Sequence, residues 1–167
     1  IFFTSGGTEA NNQVLWNSIE NDKKHIIASS IEHPAVIRVI NKIRSFGITS
    51  SLASVDEDGT VDIDSILKLV NDDTGLVSIM LANNEVGTIQ PIKEIAKKIT
   101  RLNIPFHTDA VQALGKIPVD VTSLGVDYLS LSAHKFYGPK GIGALYIKNK
   151  KTLKSFIVGG EQESGKR

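Results

Sequence analysis

Leu76-Val77-Ser78-Ile79-Met80-Leu81-Ala82 is a nearly continuous apolar run, interrupted by a single serine. A strand that is apolar on both sides of its backbone is typical of a sheet whose two faces are covered by helices. On either side of this run, strand-like and helix-like segments alternate along the chain. The alternation predicts an α/β domain with a largely parallel sheet.

The remaining elements are predicted from the same kind of apolar pattern. The predicted strands are Ile1–Thr4, His25–Ser29, Ile48–Val55, Leu76–Ala82, Pro105–Thr108, Val126–Leu131 and Ile142–Ile147. The predicted helices are Thr8–Ile19, a helix that opens at Pro34 and is closed by Gly47, Ile63–Val70 and Ile92–Leu102. Proline suits the first turn of a helix and glycine the position just after its end, which sets the limits of the second helix.

The composition narrows the classes of function. With 167 residues, 41% of them hydrophobic and 22% charged, the chain has the size and make-up of one folded domain. Its formal net charge of +1 gives no reason to expect nucleic acid or a membrane surface as a partner. No apolar run reaches the length of a transmembrane helix and no secretory pattern is visible, so we predict a cytoplasmic location.

Cysteine is absent from the sequence. Its absence excludes disulfides, thiolate metal sites and a cysteine nucleophile within this chain. The chain starts at Ile1 rather than at a methionine and stops in the polar stretch Gly165-Lys166-Arg167. We therefore expect a piece of a longer protein, truncated at both ends.

Polar clusters follow the predicted strands at the points where the strands end. They are Ser5–Asn12, Glu32-His33, Asn83–Gly87, Asp109–Gln112 and Ser132–Lys135. In open α/β sheets, ligands bind outside the carboxyl ends of the strands. We expect these clusters to converge on one crevice.

Lys135 is the most reactive candidate in these clusters. It follows a strand and precedes the turn Gly138-Pro139-Lys140-Gly141. Burial would disfavour its charged form and lower its pKa, and a deprotonated amine is the form that attacks a carbonyl to give a Schiff base. The alternatives are a solvated surface lysine and a point charge that binds phosphate.

The other clusters each allow a structural and a functional interpretation. Asp109 ends a strand that also carries His107, with both on one face and Thr108 on the other. A buried carboxylate there would need a partner such as a helix terminus, a metal or a protonated ring nitrogen. The turn Gly6-Gly7-Thr8 is either an anion site at a helix N-terminus or a plain tight turn.

Weaker signals come from single polar residues. His33 could stack on an aromatic ring or merely cap the following helix, and Asn83-Asn84 could donate to a ligand oxygen or form a turn. A zinc site built from Asp109 and the four histidines is a further alternative. None of these histidines has the HExxH spacing, so zinc is disfavoured.

Taken in order, the motifs resemble those of the cysteine desulfurases and the wider class V aminotransferase group of pyridoxal-phosphate enzymes. The matching stretches are Thr4–Asn12, Glu32-His33, Asn83–Gln90, His107–Gln112, Ser132–Gly141 and Gly159–Glu163. The resemblance covers essentially the whole chain. It implies the large domain of fold type I pyridoxal-phosphate transferases, an α/β three-layer sandwich with a mostly parallel mixed sheet, here spanning residues 1–167.

The resemblance also implies roles for individual residues around pyridoxal 5'-phosphate. Lys135 would form the Schiff base and remove the substrate proton, Asp109 would pair with the ring nitrogen, and His33 would stack on the ring. The implied catalytic residues are Lys135 and His33, and no metal is implied. The full implied cofactor-binding set is Gly7, Thr8, His33, Asn84, Asp109, Gln112, Ser132, His134 and Lys135, of which Gly7, Thr8, Ser132 and His134 would hold the phosphate and Asn84 and Gln112 the phenolic oxygen.

By the same resemblance, the parent enzyme would convert L-cysteine to L-alanine. The sulfur would pass to an enzyme cysteine as a persulfide, for iron–sulfur cluster or thio-cofactor assembly, with a scaffold protein as acceptor and a homodimer as the working form. The family's small domain, which bears that cysteine, is not among these residues, so we expect the chain alone to be inactive. The alternatives are a selenocysteine lyase, another class V aminotransferase or a non-catalytic scaffold.

Two positions depart from the family pattern. Gly7 replaces an alanine found in many members, a change expected only to loosen the turn. Glu161 replaces the third glycine of a Gly-Gly-Gly pattern and is expected to alter the backbone angles there, because glycine tolerates positive φ.

Overall fold

The computed structural model describes residues 1–20, 22–149, 153–160 and 162–165. Glu161 therefore lies outside the described residues. The strands are β1 Phe2–Thr4, β2 His25–Ser29, β3 Thr49–Ala53, β4 Thr74–Ser78, β5 Phe106–Asp109, β6 Tyr128–Ser132 and β7 Gly143–Ile147. The helices are α1 Gly7–Asn17, α2 Pro34–Ile43, α3 Ile63–Leu69, α4 Ile92–Thr100, α5 Val121–Leu124 and α6 Gln162–Gly165. Short 3₁₀ turns cover Ser18–Glu20, Arg44–Phe46 and Ala133–Phe136.

Within the described part of the chain, the strands form one seven-stranded sheet in the order β1-β7-β6-β5-β4-β2-β3. The five strands from β6 to β3 in that order run parallel to one another. Strand β7 is antiparallel to β6, and β1 is antiparallel to β7. The predicted mixed, mostly parallel sheet is confirmed.

Helices cover both faces of the sheet and make the expected three layers. On one face, α1 and α2 bury Val14, Leu15, Val36, Val39, Ile40 and Ile43 against Ile26, Ala28, Leu76, Tyr128 and Leu145. On the other face, α3 and α4 bury Ile66, Ile92, Ile95 and Ile99 against Ile27, Val77, Phe106 and Leu129. Every residue of the central strands β2, β4 and β5 is buried. This burial on both sides explains why the opening apolar run lacks alternation.

The limits of β4 differ from the prediction at both ends. Its pairing with β2 shifts register between His25 and Ile26, which leaves Gly75 unmatched. A Cβ at Gly75 would lie 2.9 Å from the carbonyl oxygen of Lys23, so glycine is required at this irregularity. Beyond Ser78 the chain stays bonded to β5, through Ile79 N–H to His107 O at 3.1 Å. The predicted extension toward Ala82 is thus paired backbone rather than regular strand.

Helix α5 was missed by the sequence analysis. It has four residues, too few for an apolar period, and Asp120 caps it by accepting from Thr122 N–H at 2.9 Å. Among the described residues, no helix is both long and apolar enough to cross a membrane.

A buried histidine joins three central strands. His107 on β5 is hydrogen-bonded through Nδ1 to Ser78 Oγ on β4 at 2.8 Å and through Nε2 to Ser130 Oγ on β6 at 2.9 Å. Burial lowers the pKa of His107 from 6.5 to about 3, so the ring is neutral at physiological pH. These strands lead directly into the loops that carry the polar clusters, so His107 fixes their lateral alignment.

We predict that His107 makes the fold sensitive to acid. Because its folded pKa is depressed, its contribution is fully present above pH 6.5 and is lost as the pH falls toward about 3. The shift corresponds to at most about 5 kcal/mol. The free energy of unfolding, measured with urea between pH 7 and 3.5, should therefore fall more steeply for the wild type than for His107→Gln. The exposed His134→Gln variant is the control, and parallel wild-type and His107→Gln curves would contradict the assignment.

Candidate active site

A cavity of about 600 Å³ opens at the carboxyl ends of the parallel strands. Its lining includes every residue of the candidate set, namely Gly7, Thr8, His33, Asn84, Asp109, Gln112, Ser132, His134 and Lys135. The polar clusters therefore converge on one crevice, as expected. The roles assigned to the individual residues stay predictions.

One end of the cavity is formed by the N-terminus of α1 together with the end of β6. Gly7 is the first residue of α1, and Thr8 follows it in the first turn. Ser132 Oγ is hydrogen-bonded to His134 Nδ1 at 3.0 Å. Free amides at a helix N-terminus and neighbouring hydroxyl and imidazole groups suit an anion such as phosphate.

Gly7 does more than loosen the turn. A Cβ at this position would lie 2.5 Å from Cγ2 of Val111, which follows β5 and also lines the cavity. Real Cβ atoms do not approach so closely, so alanine at position 7 would force Val111 or the start of α1 to move. Because Gly7 has no side chain, Val111 fits against the start of α1, and α1 can approach the loop after Asp109 closely.

Asp109 is buried in the lining of the cavity, and both of its carboxylate oxygens accept hydrogen bonds. Val111 N–H donates to Oδ1 at 2.9 Å, and the Asn11 side-chain amide donates to Oδ2 at 2.6 Å. Burial raises the pKa of Asp109, while these bonds and the nearby His33 act to lower it. Two N–H donors favour the charged form, and a cationic ligand group in the cavity would favour it further.

Asn11 is a site residue that the sequence analysis did not single out. It is buried on α1, lines the cavity and contacts Asp109, whereas the adjacent Asn12 bonds within the helix to Thr8 O and Trp16 Nε1. The sequence shows two consecutive asparagines in a helix. Only the rotational phase of α1 decides which of them faces the sheet.

His33 caps the following helix, which was one of its two predicted possibilities, and stacking on a ring stays a prediction. It is the N-cap of α2, and its Nδ1 accepts from Ala35 N–H at 3.0 Å. Because Nδ1 is an acceptor, the neutral ring carries its proton on Nε2. The capping residue His33 is exposed and lies in the cavity lining.

The two asparagines after β4 have different roles. Asn83 Oδ1 accepts from Glu85 N–H and Val86 N–H, at 2.8 and 2.9 Å, and so builds the turn. Its amide nitrogen donates to Ile31 O at 3.0 Å. Asn84 is exposed and lines the cavity. Turn chemistry therefore accounts for Asn83, and Asn84 is the residue available to a ligand.

The side chain of Lys135 is exposed, a position that the alternatives for this residue included. The residue lies on the 3₁₀ turn Ala133–Phe136, at the open side of the cavity. The strand ends at Ser132, and the one-turn helix that follows carries the lysine outward to the mouth. Lys135 lines the same cavity as Asp109, so the two groups share one hollow.

Glu32 belongs to the predicted polar cluster Glu32-His33, but no role was predicted for it. It is buried beside the site, and burial is the main reason that its pKa rises to about 8. Within the described residues, no three histidine, aspartate or glutamate side chains group as metal ligands.

Comparison with known proteins gives the family. The model of the family described as Aminotransferase class-V matches residues 1–165. The chain belongs to this family. A cysteine desulfurase IscS of Clostridium botulinum is 51% identical over 170 aligned residues, which cover 100% of this chain and 43% of the relative. An IscS of Methanosarcina thermophila is 49% identical over the same length and is covered to 42%.

Solved structures agree with this assignment and with the predicted fold. A protein described as NifS-like superposes with a TM-score of 0.92 at 44% identity, covering 98% of this chain and 46% of the other. A structure described as SspA in complex with cysteine gives 0.91 at 38% identity, covering 98% and 49%. The chain thus has the fold of NifS-like proteins. It spans less than half the length of the relatives it matches.

The Gly7–Val111 contact makes a testable prediction. Gly7→Ala should lower the free energy of unfolding by about 1–3 kcal/mol, because the added methyl overlaps the valine. Val111→Ala should largely cancel this loss when combined with Gly7→Ala, since it removes the overlapping Cγ2. Urea unfolding of the wild type, both single variants and the double variant gives the coupling energy. Additive effects would show that the two positions do not constrain each other.

Proposed function

We propose that this chain is the large, cofactor-binding domain of a pyridoxal-phosphate-dependent cysteine desulfurase. In this reaction the sulfur of L-cysteine passes to an enzyme cysteine and L-alanine is left. The observation that carries the proposal is the single cavity shared by Lys135, Asp109 and the N-terminus of α1. The relatives named as cysteine desulfurases support the choice of reaction.

The residues of the cavity fit pyridoxal phosphate by their chemistry. Its phosphate needs an anion site, which the amides of α1 with Thr8, Ser132 and His134 would provide. Its ring nitrogen needs a carboxylate, and Asp109 has both oxygens oriented by N–H donors. When bound, the cofactor supplies an aldehyde for an amino group and an electron sink for the bonds at Cα.

The chain's own residues would divide the remaining tasks. His33, held by its bond to Ala35, would lie flat against the ring. Asn84 and Gln112 would donate to the phenolic oxygen from the ends of two different strands. The Lys135 amine would attach the cofactor and, once released, take the proton from the substrate Cα. Its position at the open side leaves it free to move between these two tasks.

The sulfur-accepting thiol must come from outside this chain, since the sequence has no cysteine. We propose that the whole protein supplies it, works as a homodimer in the cytoplasm and passes its sulfur to a scaffold protein for iron–sulfur cluster or thio-cofactor assembly. The name IscS borne by the relatives supports this direction. The cysteine in the neighbouring SspA structure supports L-cysteine as the substrate class.

We predict that Lys135 alone attaches the cofactor. The chain mixed with pyridoxal phosphate should gain a visible absorption band that Lys135→Ala abolishes, because the amine that binds the aldehyde is gone. Lys140→Ala is the matched control, since Lys140 is an exposed lysine that lines the same cavity. A band that survives Lys135→Ala but disappears in Lys140→Ala would refute the assignment.

We also predict that the loaded chain does not desulfurate L-cysteine. Breaking the carbon–sulfur bond requires a thiolate that accepts the sulfur, and none of its residues can supply one. Alanine, measured by amino-acid analysis, should not exceed the level found with free pyridoxal phosphate. Alanine above that level would show that sulfur leaves without an enzyme thiol, and the proposed reaction would then be wrong.

A further inference from the structure

Two loops that carry site residues are tied together behind the cavity. The loop between β2 and α2 carries His33, and the loop after β4 carries Asn84. Met80 N–H, in the second loop, donates to Glu32 Oε1 at 2.8 Å. Asn83 Nδ2, also in the second loop, donates to Ile31 O at 3.0 Å. The relative position of His33 and Asn84 therefore depends on these two bonds.

The carboxyl group of Glu32 is bonded on one oxygen only. Oε1 accepts from Ser29 Oγ–H at 2.6 Å and from Met80 N–H at 2.8 Å. Oε2 is buried and has no hydrogen-bond partner within the described part of the chain. A neutral acid, with Oε1 as the carbonyl and Oε2 as the hydroxyl, places no charge on the oxygen that lacks a partner, and its hydroxyl hydrogen has no acceptor there. An anionic Oε2 without a donor would be costly in this position.

The surrounding charges favour the same state. Burial is the largest cause that raises the pKa of Glu32 to about 8, the bonds from Ser29 and Met80 lower it, and Asp109 at the end of β5 raises it further. On its own loop the titratable neighbour is His33, which acts on Asp109. From the β4 side the contact is the uncharged Met80 amide. A neutral Glu32 carries no charge that would repel a carboxylate at Asp109.

We propose that Glu32 is a positioning residue of this site, whose neutral carboxyl fixes the loop of His33 to the loop of Asn84. The side chain takes no part in the chemistry and acts through the two loops it joins. The inference rests on the proposed function only where cofactor binding is the readout. The tie between the loops can also be measured in the cofactor-free chain.

Two variants separate the bond from the charge. Glu32→Gln keeps an oxygen acceptor for Met80 and cannot ionise. Glu32→Leu fills the space and removes both acceptors. Glu85→Gln is the matched control, because Glu85 is an exposed carboxylate on the loop of Asn84. The readouts are the dissociation constant of pyridoxal phosphate and hydrogen exchange at the Met80 amide, with the Leu129 amide of β6 as the reference for the intact sheet.

At pH 7, Glu32→Gln and Glu85→Gln should stay within about threefold of the wild type in both readouts. Glu32→Leu should weaken cofactor binding and speed Met80 exchange by at least about tenfold each, with Leu129 unchanged, because the loops lose their tie. The inference would be overturned if Glu32→Leu bound the cofactor and exchanged its Met80 amide hydrogen as the wild type does. So would a Glu32→Gln variant as impaired as Glu32→Leu, since the charged form would then be the one required.

If Glu32→Leu does not fold, the inference is tested by measuring cofactor binding of the wild type and Glu32→Gln at several pH values. Below about pH 7 the wild type and Glu32→Gln should bind the cofactor equally, while at pH 9 the wild type should bind at least about threefold more weakly. The reason is that ionisation leaves Oε2 as an anion without a donor. A constant ratio of the two dissociation constants would refute the neutral state. If the wild type binds no cofactor at all, the proposed function fails. The inference is then decided by hydrogen exchange at the Met80 amide, compared between the wild type and Glu32→Gln at pH 7 and at pH 9.

Discussion

His107 bridges Ser78 and Ser130 across three parallel strands, and this buried bond pair holds the register on which the site depends. Asp109 lies two residues further along the same strand and therefore on the same face. A slip of one residue in β5 would turn Asp109 to the face covered by α4, away from the cavity. The strand ends on either side supply Asn84 and Lys135. The register of β4, β5 and β6 thus decides whether Asp109, Asn84 and Lys135 line the same cavity.

Two carboxyl groups lie near one another at this edge, and their surroundings separate their charge states. Burial raises the pKa of both Asp109 and Glu32. Asp109 has an N–H donor on each oxygen, whereas Glu32 has both of its donors on one oxygen. The first arrangement suits an anion and the second a neutral acid. The different distribution of donors is consistent with the two tasks proposed for them, namely Asp109 beside the ring nitrogen and Glu32 between the loops.

The strands were predicted well, because a strand that is buried on both faces is apolar along most of its length. The sequence predicted the convergence of the polar clusters for a topological reason, since parallel strands bring their carboxyl ends to one edge. It placed Asn11 and Glu32 in polar clusters but predicted no role for either, because helix phase and loop burial depend on contacts that are distant in the chain. The exposure of Lys135 could not be decided from the sequence for the same reason. The sequence shows the end of its strand but not the one-turn helix that carries it to the surface.

The exposure of Lys135 bears on how the site would work. Lys135 is an exposed residue of the cavity lining, so a ligand bound in the cavity would change the surroundings of its amine. A bound ring would exclude water from the space between His33 and Asp109 and bring the amine into a drier environment. Lys140 is a second exposed lysine in the same cavity lining. If the proposed function holds, this lysine would act within a site that the cofactor completes, and the thiol for sulfur transfer would come from outside this chain, which has no cysteine.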